Sequence, residues 1–285
     1  MGRALHFRIG IIPITLETEF QRFQDEFLAL YGRYLTEDEQ VNSLRFQIVR
    51  HRKRPWSRQR YLILGGREGS FAADTEEEVL PHLEWAINWH IALYWQGFYQ
   101  IHASIIQCGQ QAVLFPGVPG SGKTTLSAAM LAWDARYYSD EIALIDPRTL
   151  LVHPYPKCLC IKQGAVPLLK SLFPHLALEP TWIKRTKGAV CFLDPWKLSN
   201  DPIASPQPIR YVLFPSWSPG SAPALQPITR AEAMFDLTRY SFNFLNYKNS
   251  ATRLLANIVR EAECFRIQAG DLNQTCRLVV NLVQR

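Results

Sequence analysis

The chain has no stretch apolar enough to cross a bilayer and no pair of cysteines spaced for a metal. It also shows no internal repeat and no low-complexity linker. Residues 1–10 carry Arg3, His6 and Arg8 and lack the apolar run of a signal peptide. The most apolar-looking helical stretch, 79–98, contains His82, Glu84, Asn88, His90 and Gln96, too many polar groups for a membrane span. These absences predict a soluble cytoplasmic protein with no membrane partner. Six cysteines stand at 108, 158, 160, 191, 264 and 276, and none forms a C-x-x-C pair. Cys158 and Cys160 would share one face of a strand, with no further ligands at zinc-knuckle spacing. The expectation is buried free thiols. With 285 residues, 47% of them hydrophobic, the chain can build one large core or two smaller ones.

Net charge is nearly absent outside one stretch. There are 31 basic and 25 acidic residues, a formal net charge of +6. Six of the basic residues lie between Arg50 and Arg60, a stretch with no acid. Without them the chain is neutral, which argues against a nucleic-acid partner. The basic stretch reads as a solvated turn between two strands. A second reading is a docking patch for an acidic partner or for phosphate.

Periodicity divides the chain in two. Residues 7–14 read as a strand, and 19–31 space Phe20, Phe23, Phe27 and Leu30 as a helix does. Residues 43–50 alternate as a half-buried strand, and 61–64 form the next. Together, residues 1–78 predict a small α+β N-terminal region. A second domain, 79–285, opens with a tryptophan-bearing helix started by Asp74 or Thr75. Two strands follow, 100–107 and 112–115. Residues 136–145 read as one strand, and Asp146-Pro147-Arg148-Thr149 as a turn. Residues 251–262 are amphipathic, and Asp271 is placed to cap a last helix.

The second of those two strands runs into Gly117-Val118-Pro119-Gly120-Ser121-Gly122-Lys123-Thr124, followed by Thr125. Strand, G-x-x-x-x-G-K-T, helix is the full context of a phosphate-binding loop. Glycines let the backbone approach phosphate and turn its N–H groups inward. Lys123 would reach the β- and γ-phosphates, and the Thr124 hydroxyl would hold Mg²⁺. The helix start directs its positive end at the anion. This pattern speaks for nucleotide binding and says little about the reaction.

Two sets of acids are candidates for the chemistry. Asp146 ends an apolar strand, as the second acid of a motor or switch NTPase would, but it starts a turn. Asp140-Glu141 lies 17 residues after Lys123. On a strand, adjacent side chains point to opposite faces. One acid could take a proton from an acceptor hydroxyl while the other meets metal or solvent; both could equally be surface acids. His102 lies on the strand before the loop strand, and pairing of the two would bring it towards the nucleotide. A core or surface histidine is the alternative.

His102-Ala103-Ser104, the loop 117–125 and Ser139-Asp140-Glu141, in this order and spacing, resemble the HPr kinase/phosphorylase family. The resemblance is closer to the HPr kinase-related group called kinase A. It also takes in residues 82–89 (HLEWAINW), Thr186-Lys187-Gly188 and Ser241-Phe242-Asn243. It implies an α/β fold with a phosphoenolpyruvate-carboxykinase-like P-loop kinase core beside the small N-terminal region. Asp140 would then be the catalytic base, His102 would sit near the transferred phosphate, and Lys123 would hold it. Thr124 and Glu141 would meet the metal. His102 is followed by Ala where the family has Gly, and Glu141 stands for a second Asp. The glycine-rich signature that supports the reverse reaction is not evident, so phosphorolysis and HPr itself are not carried over.

The expectation is an ATP- and Mg²⁺-dependent kinase acting on a serine or threonine hydroxyl of a peptide or small protein. The resemblance associates it with a PqqD-like peptide carrier and allows a homo-oligomer. Two other readings stay open: a nucleotide-binding regulatory module, and a kinase of a small hydroxylated metabolite.

Overall fold

The computed structural model describes residues 4–52, 60–65, 70–179, 181–185 and 188–285. The centre of the basic stretch, 53–59, and Thr186-Lys187 lie outside the described residues. The fold is mixed α/β with several sheets, and the chain forms two compact units. The first holds residues 1–94, 160–166 and 177–193. The second holds 95–159, 167–176 and 194–285.

The first unit opens with β1 (Ala4–Ile9) and β2 (Ile12–Thr18). The expected single strand over 7–14 is instead this antiparallel hairpin, turning at Gly10 with φ 61°. α1 (Gln21–Tyr31) then crosses over, so that β4 (Leu44–His51) pairs parallel to β2. A parallel pair requires such a crossover. α1 buries Phe23, Phe27, Leu30 and Tyr31, three and four residues apart, and Phe27 meets Phe7 of β1 edge-on. With β3 (Leu35–Thr36), β5 (Arg60–Gly65) and β6 (Ser70–Ala73), the sheet runs β3-β1-β2-β4-β5-β6. α2 (Val79–Tyr94) packs against β5 and β6. This unit therefore runs to Tyr94, beyond the boundary read at residue 78. The buried Tyr31 hydroxyl donates to the Glu84 carboxylate, which fixes α2 to α1.

The second unit begins with β7 (Tyr99–Cys108) and β8 (Gln111–Pro116), an antiparallel hairpin. α3 (Lys123–Leu131), β9 (Arg136–Ser139), β10 (Ile142–Ile145) and β11 (Leu151–His153) follow. The expected strand over 136–145 is broken at Asp140-Glu141. β9 pairs with the far half of β7 and β10 with its near half, and one straight strand cannot keep both registers. In chain order next come β12 (Leu159–Lys162), α4 (Val166–Leu172), β13 (Trp182–Lys184) and β14 (Gly188–Leu193); the three strands form a small sheet in the order β12-β14-β13 that belongs almost wholly to the first unit, while α4 belongs almost wholly to the second.

β15 (Gln207–Trp217), β16 (Ala224–Pro227), α5 (Arg230–Tyr240), α6 (Phe244–Tyr247), α7 (Asn249–Glu261), β17 (Glu263–Ala269) and α8 (Leu272–Val283) complete the second unit. The main path of its sheet is β11-β10-β7-β8-β15-β17-β16. β8, β15 and β17 are mutually parallel, so their carboxyl ends gather at one edge. Tyr99, Ile101, Ala103 and Ile105 of β7 face a core completed by Leu254, Leu255, Ile258 and Val259 of α7 and Leu237 of α5. The opposite face of β7 meets α3. α5 starts with a reciprocal Thr229–Glu232 capping box, and Asp271 caps α8 through the Gln274 N–H. All six cysteines are free and buried. Among the described residues, no helix is long and apolar enough to cross a membrane.

Candidate functional site

The loop after β8 has the backbone its sequence demands. Gly120 and Gly122 sit at φ 96° and 94°, the left-handed region that side chains avoid. Gly117 makes a cradle, since a Cβ there would come within 2.8 Å of the Ser121 Oγ. That hydroxyl is buried and finds no hydrogen-bond partner among the described residues. Buried polar groups are nearly always paired, so an orphan hydroxyl inside a glycine cradle at a helix start fits an anion. The residues present therefore suit a phosphate group.

Lys123 opens α3 and does not project into solvent as a loop lysine would. It is 6% exposed, and its Nζ donates to the carbonyls of Gly117 (2.7 Å) and Val118 (2.9 Å). The ammonium thus ties the loop into a closed curve. Thr124 and Thr125 follow in the first turn, both half-buried.

Strand register brings the other predicted residues to the same edge of the sheet. On β7, Ala103 pairs with Pro116, the last residue before the loop. Ile105 pairs with Ser139, and His102 with Ile142. Residues 102–105 therefore meet the loop on one side and the Asp140-Glu141 break on the other. Alternation puts His102 and Ser104 on one face of β7. That face is the one towards α3, because the Ser104 hydroxyl meets the Ser127 hydroxyl of α3. Ser104 also donates to the Ser139 carbonyl at 3.2 Å. Three elements, β7, α3 and β9, are thereby joined next to Asp140.

The break itself is held by Ser139. Its hydroxyl accepts from the backbone N–H of Glu141 (3.4 Å) and of Ile142 (3.3 Å), a local bond that replaces the ladder. Asp140 is 1% exposed, and the Tyr137 hydroxyl donates to its Oδ1 at 3.2 Å. Tyr137 is completely buried. Burial first, and then the charge of Asp140, push its phenol well above the ordinary value of 10, so it remains a protonated donor. Glu141 is half-buried, and its Oε2 lies 3.5 Å from the His102 Nε2. The two acids therefore occupy different surroundings, one in the interior and one beside the histidine. Asp146 is elsewhere occupied. Its Oδ1 accepts from the N–H of Arg148 (2.8 Å) and of Thr149 (3.4 Å), which is the turn expected of it. Among the described residues no three His, Cys, Asp or Glu side chains cluster as a metal site.

Residues 241–243 build one more wall, from 142 to 145 positions away in the chain. The Asn243 side chain accepts from the Gln100 N–H (3.0 Å) and donates to the Phe98 carbonyl (2.8 Å). The Phe242 N–H donates to the Gln100 carbonyl, and the Tyr99 hydroxyl to Ser241. So fixed, Phe242 sets its ring 5.5 Å from the His102 ring while staying 47% exposed. Asn243→Ala should leave the buried Gln100 N–H of β7 and the partly buried Phe98 carbonyl just before it without these partners. The expected cost is roughly 1–3 kcal/mol, mainly from the buried N–H, read as a lower urea midpoint at unchanged slope. An unchanged midpoint would show that the segment is not a structural latch.

Sequence reading missed Tyr137, Ser127 and the contact of Phe242 with His102, and it gave Ser104 no role. Signals for Ser104 and Phe242 lay only in the His102-Ala103-Ser104 and Ser241-Phe242-Asn243 motifs. No protein-family model matches the chain, and no curated protein matches it in sequence. Among the solved structures similar to it is the HPr(Ser) kinase/phosphatase from Coxiella burnetii. The similarity covers 65% of this chain and 93% of that one, at 12% identity and a TM-score of 0.32, which is too distant to assign any residue a role.

Proposed function

We propose that the second unit is a phosphoenolpyruvate-carboxykinase-like P-loop kinase core. It would transfer the γ-phosphoryl group of ATP to a serine or threonine hydroxyl of a peptide or small protein. The observation that carries this reading is the register of β7, which sets a phosphate-type loop, a buried aspartate and a histidine–glutamate pair at one edge of one sheet. A buried acid held by a phenol beside a phosphate site suits proton acceptance better than it suits a solvated surface role.

In the proposed reaction the acceptor oxygen bonds to the γ-phosphorus, and the bond from that phosphorus to the β,γ-bridging oxygen breaks. The hydroxyl proton passes to Asp140, and ADP leaves. Lys123 would turn from the loop carbonyls to the phosphates, and the N-terminus of α3 would add its partial positive charge. Thr124 would hold Mg²⁺, with Glu141 at hand; when bound, the ion serves to neutralise phosphate charge. His102, paired with Glu141, would steady the transferred group. Catalysis would be mainly positioning and charge neutralisation. The sequence resemblance to kinase A extends the proposal to an acceptor delivered with a PqqD-like peptide carrier.

The test is phosphate transfer from γ-labelled ATP to serine- and threonine-bearing peptides, small carrier proteins and hydroxylated metabolites. Label on a peptide hydroxyl supports the reading. Label confined to a metabolite, or tight ATP binding with transfer to nothing, would replace it with one of the other two readings.

A further inference from the structure

The site so far has walls on one side only. Asp140, Glu141 and His102 all reach the loop from the β7 side of β8. On the other side of β8 runs β15, parallel to it, and then β17. Ligands of parallel sheets lie beyond the carboxyl ends of the strands. A nucleoside triphosphate whose γ-phosphate faces Asp140 would therefore extend its nucleoside across the loop towards β15. The step from β7 to β15 is two strand spacings, about 10 Å.

What stands there is Trp217, the last residue of β15. A Cβ built on Gly122 would lie 3.7 Å from the Trp217 Cβ, and one on Gly117 would lie 3.7 Å from the Pro215 Cδ. The strand end thus runs directly along the loop, with Pro215 and Trp217 on the same face. Trp217 is half-buried, opposite the small Ala269 of β17. Its position is fixed from behind. The Ser218 N–H donates to the Ala269 carbonyl at 2.9 Å, and both the N–H and the hydroxyl of Ser221 donate to the Ser218 carbonyl. Among the described residues the indole has no aromatic partner and no hydrogen bond. A large ring on an anchored strand end, partly open and without a stacking partner among the described residues, beside a phosphate loop, has the chemistry of a stacking platform.

We infer that Trp217 stacks on the purine base of the nucleotide bound at the 117–124 loop. The inference rests on the nucleotide reading above and adds the base contact, which the loop motif does not specify. Stacking is tolerant of base identity because every purine offers a π-face. Trp217 would therefore raise affinity for nucleotides over bare polyphosphate, and would separate ATP from GTP only weakly.

The experiment is calorimetric titration of the whole chain with Mg·ATP, Mg·GTP and inorganic tripolyphosphate, comparing the parent with Trp217→Ala and Trp217→Phe. Trp217→Ala should weaken ATP and GTP about 10- to 100-fold and leave tripolyphosphate unchanged. Trp217→Phe should recover most of the loss, since a ring remains. Retained tripolyphosphate binding also reports that the loop is intact in each variant. ATP binding equal to the parent in Trp217→Ala would overturn the inference. So would equal losses for ATP and tripolyphosphate, which would make Trp217 a support of the loop and not a base contact. A parent that binds neither ATP nor tripolyphosphate would overturn the nucleotide reading itself, and the base platform with it.

Discussion

Lys123→Ala is expected to lose Mg·ATP binding by roughly 100-fold or more while the second unit keeps its fold. The side chain is buried, so its truncation removes more than a charge directed at phosphate. In the protein as it stands, the ammonium satisfies the carbonyls of Gly117 and Val118. Without it, two carbonyls of the loop lose a charged donor, and the curve they close should open. The sheet does not depend on this contact. β8 is held by its ladders to β7 and β15, and α3 by the Ser104–Ser127 contact and its apolar face. Far-ultraviolet circular dichroism should therefore match the parent. Lys123→Arg should fare little better, since a position 6% exposed has no room for the wider guanidinium and the fork cannot meet both carbonyls in the same way. Calorimetry with Mg·ATP reads the result. A Lys123→Ala variant that binds like the parent would remove the phosphate-loop reading altogether.

The loop was legible because its signal is local. Gly120, Gly122 and Lys123 are dictated by backbone conformation and charge within eight residues, and the structure has the positive φ values those glycines imply. The turn at Asp146 was legible for the same reason, through its own N–H acceptor bonds. Asp140-Glu141 was visible as a pair and misplaced as a strand. The break depends on β7 offering two registers to two short strands, a property of the partner and not of residues 136–145. Tyr137 reads as one more aromatic of an apolar strand until that break turns Asp140 inward to meet it. Asn243 and Trp217 lie 143 and 95 positions from their neighbours Gln100 and Gly122, and nothing in a single chain's periodicity records such pairings. The first compact unit extends past residue 78 for a similar reason. The polar run before α2 looks like the start of a new domain, yet the helix packs back onto β5 and β6. The basic stretch stays with its two sequence readings, since 53–59 lies outside the described residues.

Asp140→Asn should stop transfer and leave nucleotide binding in place. The substitution keeps the volume, and the amide oxygen can still accept from the Tyr137 hydroxyl, so the buried contact at Oδ1 survives. What is lost is the ability to take a proton. Loss of a general base costs about 100- to 10,000-fold in rate. Tyr137→Phe should be milder, because it frees the carboxylate from one donor without removing it, and its effect should fall on turnover and not on ATP affinity. Asp146→Asn supplies the contrast. Hydrogen bonds from the backbone, that of Arg148 foremost, hold the Asp146 carboxyl below its usual range. A lowered value means its contribution to stability is present above the ordinary aspartate range and is lost as pH falls through the lowered one. Its job is the turn, which asparagine performs with the same acceptor oxygen. Turnover in Asp146→Asn should therefore stay within a few-fold of the parent, since the chemistry does not pass through it. Single-turnover transfer from labelled ATP, with ATP affinity measured separately, distinguishes the two positions. If Asp146→Asn abolished turnover and Asp140→Asn spared it, the acid at the end of β10 would be the reacting one. The protein would then work as an ordinary NTPase, with Tyr137 and Asp140 serving only as a buried structural pair.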